Sequence, residues 1–354
     1  MKKILLVDDS ALMRRVLSDI INSDDRFHVE KEAKNGLEAL EILRTEAFDG
    51  VVLDVNMPKM DGIELLRALA SEGISARILM ASTLTMDGAK VTLDALELGA
   101  LDFIHKPEWS YKCKENDFDK ELLDTLYAVC NAKLKSVAPV KPVSRKKIEI
   151  QTGVEQLVRK KAASITGNRL VAIAISTGGP KSLQSVIPFL PEDLNAPVVI
   201  VQHMPEGFTK MYADRLDRIC KMQAKEAEDG DRLRNGLIIL GHGSKQLEVH
   251  KDASGFYVTS RPGEKVSGHC PSVDVLFRSV AKVSGKGTIG VILTGMGRDG
   301  AYGLADMRKA GAYTIGQDEP SCVVYGMPCV AYEEGAVIKQ APLGEIKDII
   351  VGML

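Results

Sequence analysis

One stretch of ten residues limits the possible folds of this chain more than any other. Leu170–Ile175 is a run of six apolar residues, which is typical of a strand buried on both faces of a parallel sheet. Ser176, Thr177 and two glycines follow directly, and Pro180 suits the first turn of a helix, which does not use its N–H. The stretch therefore predicts a buried strand, a tight turn and a helix, with a hydroxyl group at the carboxyl end of the strand.

This turn supports two chemical interpretations. Glycines let a backbone come close to a ligand and offer its amides, which would suit Ser176 as a nucleophile beside an oxyanion hole. The same amides would equally suit an unreactive phosphate-binding loop. The ten residues alone leave both interpretations open.

Two other apolar runs in the same half of the chain also lead to polar residues. Pro197–Gln202 precedes His203, and Thr288–Leu293 precedes a glycine-rich loop that contains Asp299. Because parallel strands bring their carboxyl ends to one edge of a sheet, we expect Ser176, His203 and Asp299 to meet in a cleft. A serine nucleophile needs a base, and a histidine base needs an acid to orient it, so these residues predict a catalytic triad.

The loop Gly295–Gly300 carries three glycines around Met296, which is more backbone freedom than a simple turn requires. Its amides, together with that of Thr177, are candidates for an oxyanion site. The chain order serine, histidine, aspartate differs from that of the α/β-hydrolases, and no Gly-x-Ser-x-Gly occurs. A different α/β fold that carries a triad is therefore expected.

The first third of the chain alternates apolar strands with amphipathic helices, which predicts a doubly wound parallel sheet. The expected strands are Ile4–Val7, His28–Ala33, Val51–Leu53, Ile78–Ala81 and Asp102–His105. Four of these strands end in polar residues, at the edge where open α/β sheets bind ligands. These residues are Asp8, Asp9, Asp54, Ser82, Thr83 and Lys106.

Such a set of polar residues indicates a phosphorylation site. Three carboxylates brought together would repel one another unless a cation intervened, and Mg²⁺ prefers oxygen ligands of this kind. Asp54 is the candidate phosphoryl acceptor, because it follows the central strand and has apolar neighbours. Any one aspartate at a strand end would more simply cap the next helix, but the whole set argues against that explanation.

The motifs Asp-Asp, Asp-x-x-Met-Pro-x-Met-Asp-Gly and Lys-Pro, in that order, resemble the receiver domain of two-component response regulators. The resemblance covers roughly residues 1–125 and implies a flavodoxin-like domain in which a histidine kinase phosphorylates Asp54. The other implied roles are Mg²⁺ binding by Asp8, Asp9 and Asp54, phosphoryl contact by Lys106, and a switch hydroxyl at Ser82 or Thr83. Ser82 is preferred because it follows the apolar run directly.

The chain is expected to contain two domains, since 354 residues exceed the usual size of a single core. Residues 133–161 carry nine Lys or Arg against two Glu, together with alternating prolines, which is typical of an exposed linker. We expect a receiver domain at 1–125, a basic, proline-containing linker at 126–166 and a catalytic domain at 167–354.

Charge and hydropathy exclude some partners. The net charge is −2 and the basic linker lacks interleaved aromatic residues, so no nucleic acid partner is expected. No apolar run approaches the roughly 18 residues of a membrane-spanning helix. We therefore expect a cytoplasmic protein without direct membrane insertion.

Five motifs occur in order in the last half of the chain: Ser-Thr-Gly-Gly, Val-Gln-His-Met-Pro-x-Gly-Phe-Thr, His-x-Pro-Ser-Val-Asp-Val-Leu-Phe, Leu-Thr-Gly-Met-Gly-x-Asp-Gly and Gly-Gln-Asp-Glu-x-Ser-Cys-Val-Val-x-Gly-Met-Pro. Together they resemble the catalytic domain of the chemotaxis protein-glutamate methylesterases. The resemblance implies an α/β parallel-sheet hydrolase domain that uses no cofactor. It implies Ser176 as nucleophile, His203 as general base and Asp299 as orienting acid, with Thr177 and Met296 in the oxyanion region.

The function implied by both resemblances is a phosphorylation-activated serine hydrolase of bacterial chemotaxis. Members of the family cleave glutamate γ-methyl esters on chemoreceptors, and many also deamidate specific glutamines there. The implied partners are a chemotaxis histidine kinase and methyl-accepting chemoreceptors, and in the family the unphosphorylated receiver covers the catalytic cleft. One alternative is a phospho-dependent, non-catalytic regulator that binds receptors. A transcriptional regulator is a second, against which the lack of a compact basic helical domain argues.

Overall fold

The computed structural model describes residues 1–82, 86–106, 115–133 and 169–354. Two sheets, each with all its strands parallel, form the framework, and helices pack on both faces of each sheet. The predicted α/β class is thus confirmed, with a doubly wound parallel sheet in the first half and a second parallel sheet in the last half. Within the described ranges no helix has both the length and the apolar character needed to cross a membrane.

The first half forms a five-stranded sheet. Its elements are β1 (Lys2–Val7), α1 (Ala11–Asn22), β2 (Phe27–Ala33), α2 (Gly36–Thr45), β3 (Gly50–Asp54), α3 (Gly62–Glu72), β4 (Ile78–Ser82), α4 (Met86–Leu98), β5 (Asp102–His105) and α5 (Glu115–Asn131). The strand order is β2-β1-β3-β4-β5. All five predicted strands are confirmed, and each extends at most two residues beyond its apolar run because backbone pairing continues there.

Alternating side chains of these strands fill two cores. In β1, Leu5 and Val7 belong to the core on the side of α2, α3 and α4. Ile4 and Leu6 belong to the core on the side of α1 and α5. The inner strands of the sheet are therefore apolar on both faces, whereas the edge strand β2 also carries exposed charged side chains.

The second half forms a seven-stranded sheet with an antiparallel hairpin beside it. Its elements are β6 (Leu170–Ile175), α6 (Gly179–Gln184), β7 (Val198–Gln202), α7 (Phe208–Ile219), β8 (Gln223–Glu226), β9 (Leu237–Leu240), β10 (Gln246–Asp252), β11 (Gly255–Arg261), α8 (Val273–Val283), β12 (Thr288–Ile292), α9 (Ala301–Lys309), β13 (Tyr313–Gln317), α10 (Met327–Glu333), β14 (Lys339–Ala341) and α11 (Leu343–Met353). The strand order is β14-β13-β12-β6-β7-β9-β8, and β10 and β11 form the hairpin. The three strands that were expected to supply the triad, β12, β6 and β7, are thus direct neighbours.

The two halves pack together through α4 and β5 of the first and α6 and α7 of the second. Phe103 in β5 stacks on Phe208 in α7, with ring centroids 4.6 Å apart. Arg215 of α7 pairs with Asp94, at 2.8 Å, and with Glu97 of α4. The contact therefore combines an apolar centre with charged pairs.

The expected boundaries of the linker remain predictions. Helix α5 continues past residue 125 to Asn131, and residues 134–168 lie outside the described residues. At the end of the described segment, the Lys133 amide donates to Val323 O at 3.2 Å, and its ammonium group lies 2.9 Å from Glu319.

The loop that follows Asp54 is fixed by the start of α3. Asp61 accepts a hydrogen bond from the Glu64 amide at 2.7 Å, and the Glu64 carboxylate accepts one from the Asp61 amide at 3.0 Å. This reciprocal pair is a capping box. At Gly62, an added Cβ would lie 2.4 Å from the backbone oxygen of Asp54, so a larger residue would displace that carbonyl.

Two substitutions in this loop should lower the free energy of unfolding by different amounts. Asp61→Ala removes a helix cap, so we expect a loss of about 1 kcal/mol. Gly62→Ala places a methyl group against the Asp54 backbone and should lower it further. Urea unfolding of the full chain measures both, and Asp19→Ala on the exposed face of α1 is the control, with an expected change within about 0.5 kcal/mol. Wild-type stability in Gly62→Ala would contradict the close approach.

Candidate active site

The turn after β6 presents the first candidate residue. The Ser176 amide donates to Thr294 O at 3.0 Å, and Ser176 O accepts from the Gly179 amide at 2.7 Å. Gly178 has a φ of 74°, and an added Cβ there would lie 2.6 Å from the Val323 side chain. Only glycine fits this position. The predicted strand, turn and helix are present, with α6 beginning at Gly179.

Three neighbouring strand ends bring the serine, the histidine and the aspartate into contact. Nδ1 of His203, which follows β7, lies 3.2 Å from Ser176 Oγ. Nε2 of His203 donates to Oδ2 of Asp299, between β12 and α9, at 2.8 Å. Since an ionised carboxylate only accepts, Nε2 carries the ring proton and the lone pair on Nδ1 faces the serine. The His203 and Asp299 side chains are 8% and 1% exposed, so water has little access to their contact.

Asp299 receives four hydrogen bonds. Besides His203, the donors are Ser272 Oγ at 2.8 Å, the Val273 amide at 2.7 Å and the Asp274 amide at 3.1 Å. Burial alone would raise the pKa of Asp299, but the hydrogen bond and charge of His203, with the bonds from Ser272 and Val273, hold that pKa below its usual value. Asp299 therefore stays ionised and is able to stabilise a protonated His203.

Gln202, the last residue of β7, ties the serine and histidine backbones together. Its Nε2 donates to Ser176 O at 3.1 Å and to His203 O at 3.0 Å. It packs so closely on Gly179 that an added Cβ there would lie 1.9 Å from Gln202 Oε1. The sequence analysis did not assign a role to Gln202. A polar residue inside an otherwise apolar strand, directly before His203, was the available signal.

The two residues expected near an oxyanion lie on either side of Ser176. Thr177 is buried, and its carbonyl accepts from Thr294 Oγ1 at 3.0 Å. On the other side, an added Cβ at Gly295 would lie 2.8 Å from Ser176 Cβ. Met296 is the next residue along that loop. Both backbone segments thus run close to the candidate nucleophile.

A cluster of carboxylates lies at the carboxyl edge of the first sheet. Carboxylate oxygens of Asp8, Asp9 and Asp54 lie within 4.8 Å of one another. Lys106 bridges two of them, with Nζ 2.6 Å from Asp8 Oδ2 and 2.6 Å from Asp54 Oδ1. Burial raises the pKa of Asp54 against the lowering effect of Lys106, and repulsion from Asp8 raises it further.

The candidate switch hydroxyl belongs to the same edge. Ser82 ends β4 and is buried, and its carbonyl accepts from the Lys106 amide at 2.8 Å. Thr83 lies outside the described residues. The choice between the two hydroxyls therefore stays a prediction.

Strand β5 connects the carboxylate cluster with the candidate triad. Its carboxyl end leads into Lys106, which contacts Asp54. At its amino end, the Asp102 carboxylate accepts a hydrogen bond from the Thr177 hydroxyl. Burial raises the pKa of Asp102 to about 6, although the bond from Thr177 acts in the opposite direction. The sequence analysis missed Asp102 because nothing within one half of a chain signals a contact with the other half.

Comparisons with known proteins identify the family that each half of the chain matches. Residues 4–114 match the response regulator receiver domain family, and residues 171–350 match the CheB methylesterase family. The chain is 41% identical over 349 residues to the protein-glutamate methylesterase/protein-glutamine glutaminase of Pyrococcus horikoshii, covering 99% of this chain and 92% of that protein. It is also 41% identical over 356 residues to the protein of the same name from Nitrosomonas europaea, covering 100% and 97%.

Among solved structures, the chain is similar to the crystal structure of the Thermotoga maritima CheB methylesterase catalytic domain. The two share 37% sequence identity with a TM-score of 0.52, over 53% of this chain and 100% of that chain. The likeness therefore covers the whole of a separately crystallised catalytic domain.

Proposed function

The chain belongs to the CheB methylesterase family of protein-glutamate methylesterases/protein-glutamine glutaminases, and we propose that Ser176, His203 and Asp299 carry out its hydrolysis. It is a response regulator whose receiver domain controls a serine hydrolase that demethylates glutamate γ-methyl esters on chemoreceptors. The observation that supports the assignment is the continuous hydrogen-bonded path from Ser176 through His203 to Asp299.

The contacts suggest a mechanism with an acyl-enzyme intermediate. Ser176 Oγ attacks the ester carbonyl carbon while His203 Nδ1 takes its proton, and Asp299 stabilises the imidazolium. The amides of Thr177 and Met296 are the proposed donors to the oxyanion, which is usually the largest electrostatic contribution to such a reaction.

The second half of the reaction reuses the same groups. His203 returns its proton to the departing methoxide, and methanol leaves. A water molecule, deprotonated at Nδ1, then attacks the acyl-enzyme and releases glutamate. A glutamine side chain would react in the same way with ammonia as the leaving group, which supports a deamidase activity. Each step uses side chains and water, so we propose no cofactor for the catalytic domain.

In the receiver domain, we propose that a chemotaxis histidine kinase phosphorylates Asp54, with Mg²⁺ held by Asp8, Asp9 and Asp54. The three carboxylates fit this ion because they supply the hard oxygen ligands it prefers. Lys106 is one positive charge beside three carboxylates, so it alone does not balance the charge of the cluster. Bound Mg²⁺ would neutralise charge on the transferred phosphoryl oxygens. Lys106 would contact the phosphoryl group, and Ser82 would supply the switch hydroxyl.

The contacts between the halves support inhibition by the unphosphorylated receiver. The Asp102 carboxylate accepts the hydrogen bond of the Thr177 hydroxyl, which belongs to the residue next to the proposed nucleophile. The stacking of Phe103 on Phe208 holds β5 against the catalytic half. Phosphorylation of Asp54 would change the Lys106 contact at the other end of β5 and so weaken this cover.

The proposed substrates are methyl-accepting chemoreceptors, whose methylated helices lie in the cytoplasm, and we place the enzyme there. We propose neither nucleic acid binding nor membrane insertion, and we retain the domain boundaries 1–125, 126–166 and 167–354. A non-catalytic regulator that only binds receptors is less well supported. Binding alone does not require a serine, a histidine and an ionised aspartate in a continuous hydrogen-bonded row.

Replacing the proposed nucleophile should abolish the chemistry. Ser176→Ala removes the attacking oxygen, so methanol release from methylated receptors should fall by more than about a thousandfold. The assay uses the full chain with a small-molecule phosphodonor and Mg²⁺. Ser185→Ala, which removes an exposed hydroxyl just after α6, is the matched control and should retain the wild-type rate. Full methanol release by Ser176→Ala would exclude Ser176 as the nucleophile.

The receiver site can be tested through phosphoryl incorporation. Asp54→Asn should prevent both labelling by a phosphodonor and stimulation of methanol release, whereas Asp19→Asn on the exposed face of α1 should change neither. Chelation of Mg²⁺ should stop labelling of the wild-type chain and leave its unphosphorylated rate unchanged. Phosphoryl labelling of the Asp54→Asn variant would show that Asp54 is not the acceptor. Labelling of the wild-type chain in the presence of chelator would show that phosphorylation does not need Mg²⁺.

The burial of Asp102 beside Thr177 should make inhibition depend on pH. The pKa of Asp102 under the cover, about 6, lies above its ordinary value of about 3.9, so the covered arrangement binds the proton more tightly. Protonated Asp102 therefore stabilises the covered arrangement fully at a pH below its ordinary pKa, and this stabilisation is lost as the pH rises through about 6. Asp102→Asn keeps a hydrogen-bond acceptor at this position but cannot ionise. The measurement is the rate of methanol release by the unphosphorylated wild type divided by that of unphosphorylated Asp102→Asn, and this ratio should rise between pH 4 and pH 7. A ratio independent of pH would contradict this.

A further inference from the structure

A second histidine lies flat against the proposed general base. The imidazole rings of His203 and His269 are stacked, with centroids 3.7 Å apart and planes within 8° of parallel. The backbone of His269 is fixed by two hydrogen bonds with Val266, each 2.9 Å, one from either amide. His269 has no role in the mechanism described so far.

The stack supplies a restraint that the triad itself lacks. The ring nitrogens of an imidazole direct their hydrogen bonds along the plane of the ring, and His203 makes one such bond at Nδ1 and one at Nε2. Two such bonds still allow the ring to rock about the line that joins its nitrogen atoms. A flat group against one ring face opposes that motion, and the dense packing of a ring on a ring also excludes water from the face.

We propose that His269 is a positioning residue for the hydrolysis, and that its ring, stacked on His203, keeps the general base aligned with both Ser176 Oγ and Asp299. This proposal rests on the triad assigned under the proposed function. It adds a residue that touches neither the ester nor the serine and acts only through His203.

The local sequence supports a shared positioning unit. His269 is followed three to five residues later by Ser272, Val273 and Asp274, which all donate to Asp299. One short segment, 269–274, therefore fixes the face of the base and the carboxylate that orients it. A displacement of this segment would disturb both partners together.

The charge of His269 suits this role. Burial lowers the pKa of His269 to about 4, with a smaller contribution in the same direction from His203 and Lys265, while Asp299 opposes them. At neutral pH the ring that faces His203 is thus uncharged. When His203 takes the serine proton, the new cation meets a neutral aromatic face rather than a second positive charge.

The test compares two replacements in the full, phosphorylated chain. His269→Ala removes the stack, so kcat for methanol release should fall between about tenfold and a hundredfold with KM within about twofold, as expected for a misaligned catalytic group. His269→Phe keeps a flat ring and should retain kcat within about threefold. His250→Ala, which removes a histidine that stacks on Tyr257 in the hairpin, is the matched control and should leave kcat unchanged.

Nitrogen chemical shifts of the His203 ring give a readout that is independent of activity. The wild type, His269→Phe and His250→Ala should each show one tautomer with the proton on Nε2. His269→Ala should show a mixture of both tautomers. A folded His269→Ala chain with wild-type kcat and a single tautomer would overturn the proposal. An impaired but folded His269→Phe would overturn it too, because the imidazole nitrogens rather than stacking would then matter.

Ser176→Ala, assayed in parallel, separates this proposal from the proposed function. If Ser176→Ala retains methanol release, the triad assignment itself fails. If Ser176→Ala is inactive while His269→Ala is fully active, only the positioning role fails.

Discussion

The chemistry of this chain depends on the fact that parallel strands all end at the same edge of their sheet. Because helices cover both faces of each sheet, most residues inside the inner strands are apolar, and the candidate reactive groups lie at or after the residues where strands end. In the first sheet this edge collects Asp8, Asp54 and Lys106. In the second sheet, three adjacent strands deliver Ser176, His203 and Asp299 to one point. The same architectural rule thus places the proposed phosphoryl acceptor in one half and the proposed nucleophile in the other.

Two of the buried carboxylates, Asp299 and Asp54, show how the surroundings of a carboxylate decide its role. Asp299 receives four hydrogen bonds and faces a histidine, which favours its ionised form, so it serves as a constant negative charge. Asp54 shares one lysine with Asp8, and burial raises its pKa despite that lysine. A carboxylate whose negative charge is only partly balanced is stabilised by an added cation. The aspartate proposed to react is therefore the one beside which a bound cation has the most charge to neutralise.

The sequence analysis predicted all five strands of the first sheet and β6, β7 and β12 of the second, because most of these strands are apolar runs whose burial leaves a simple signal. It did not predict β9, although Leu237–Leu240 is also a buried apolar run. It also did not predict β8, which is only four residues long and largely polar, nor the hairpin of β10 and β11, in which burial alternates. The meeting of Ser176, His203 and Asp299 followed from strand ends alone. Three other features depend on how separate segments of the chain pack. They are the choice of the His203 nitrogen that faces the serine, the stacking of His269, and the contact of Asp102 with Thr177. No local pattern encodes such contacts.

Strand β5 contains only four residues, yet the residues at and just beyond its two ends contact the two functional sites. Where occupancy of one of these sites changes the affinity at the other, linkage requires the reverse effect by the same factor. If Asp102 leaves Thr177 when a receptor segment enters the cleft, the equilibrium at Asp54 must shift toward its phosphorylated, Mg²⁺-bound form. Receptor occupancy would then prolong the activated state. In such an enzyme the substrate is also an effector, and information passes from the receptor back to the phosphorylation site.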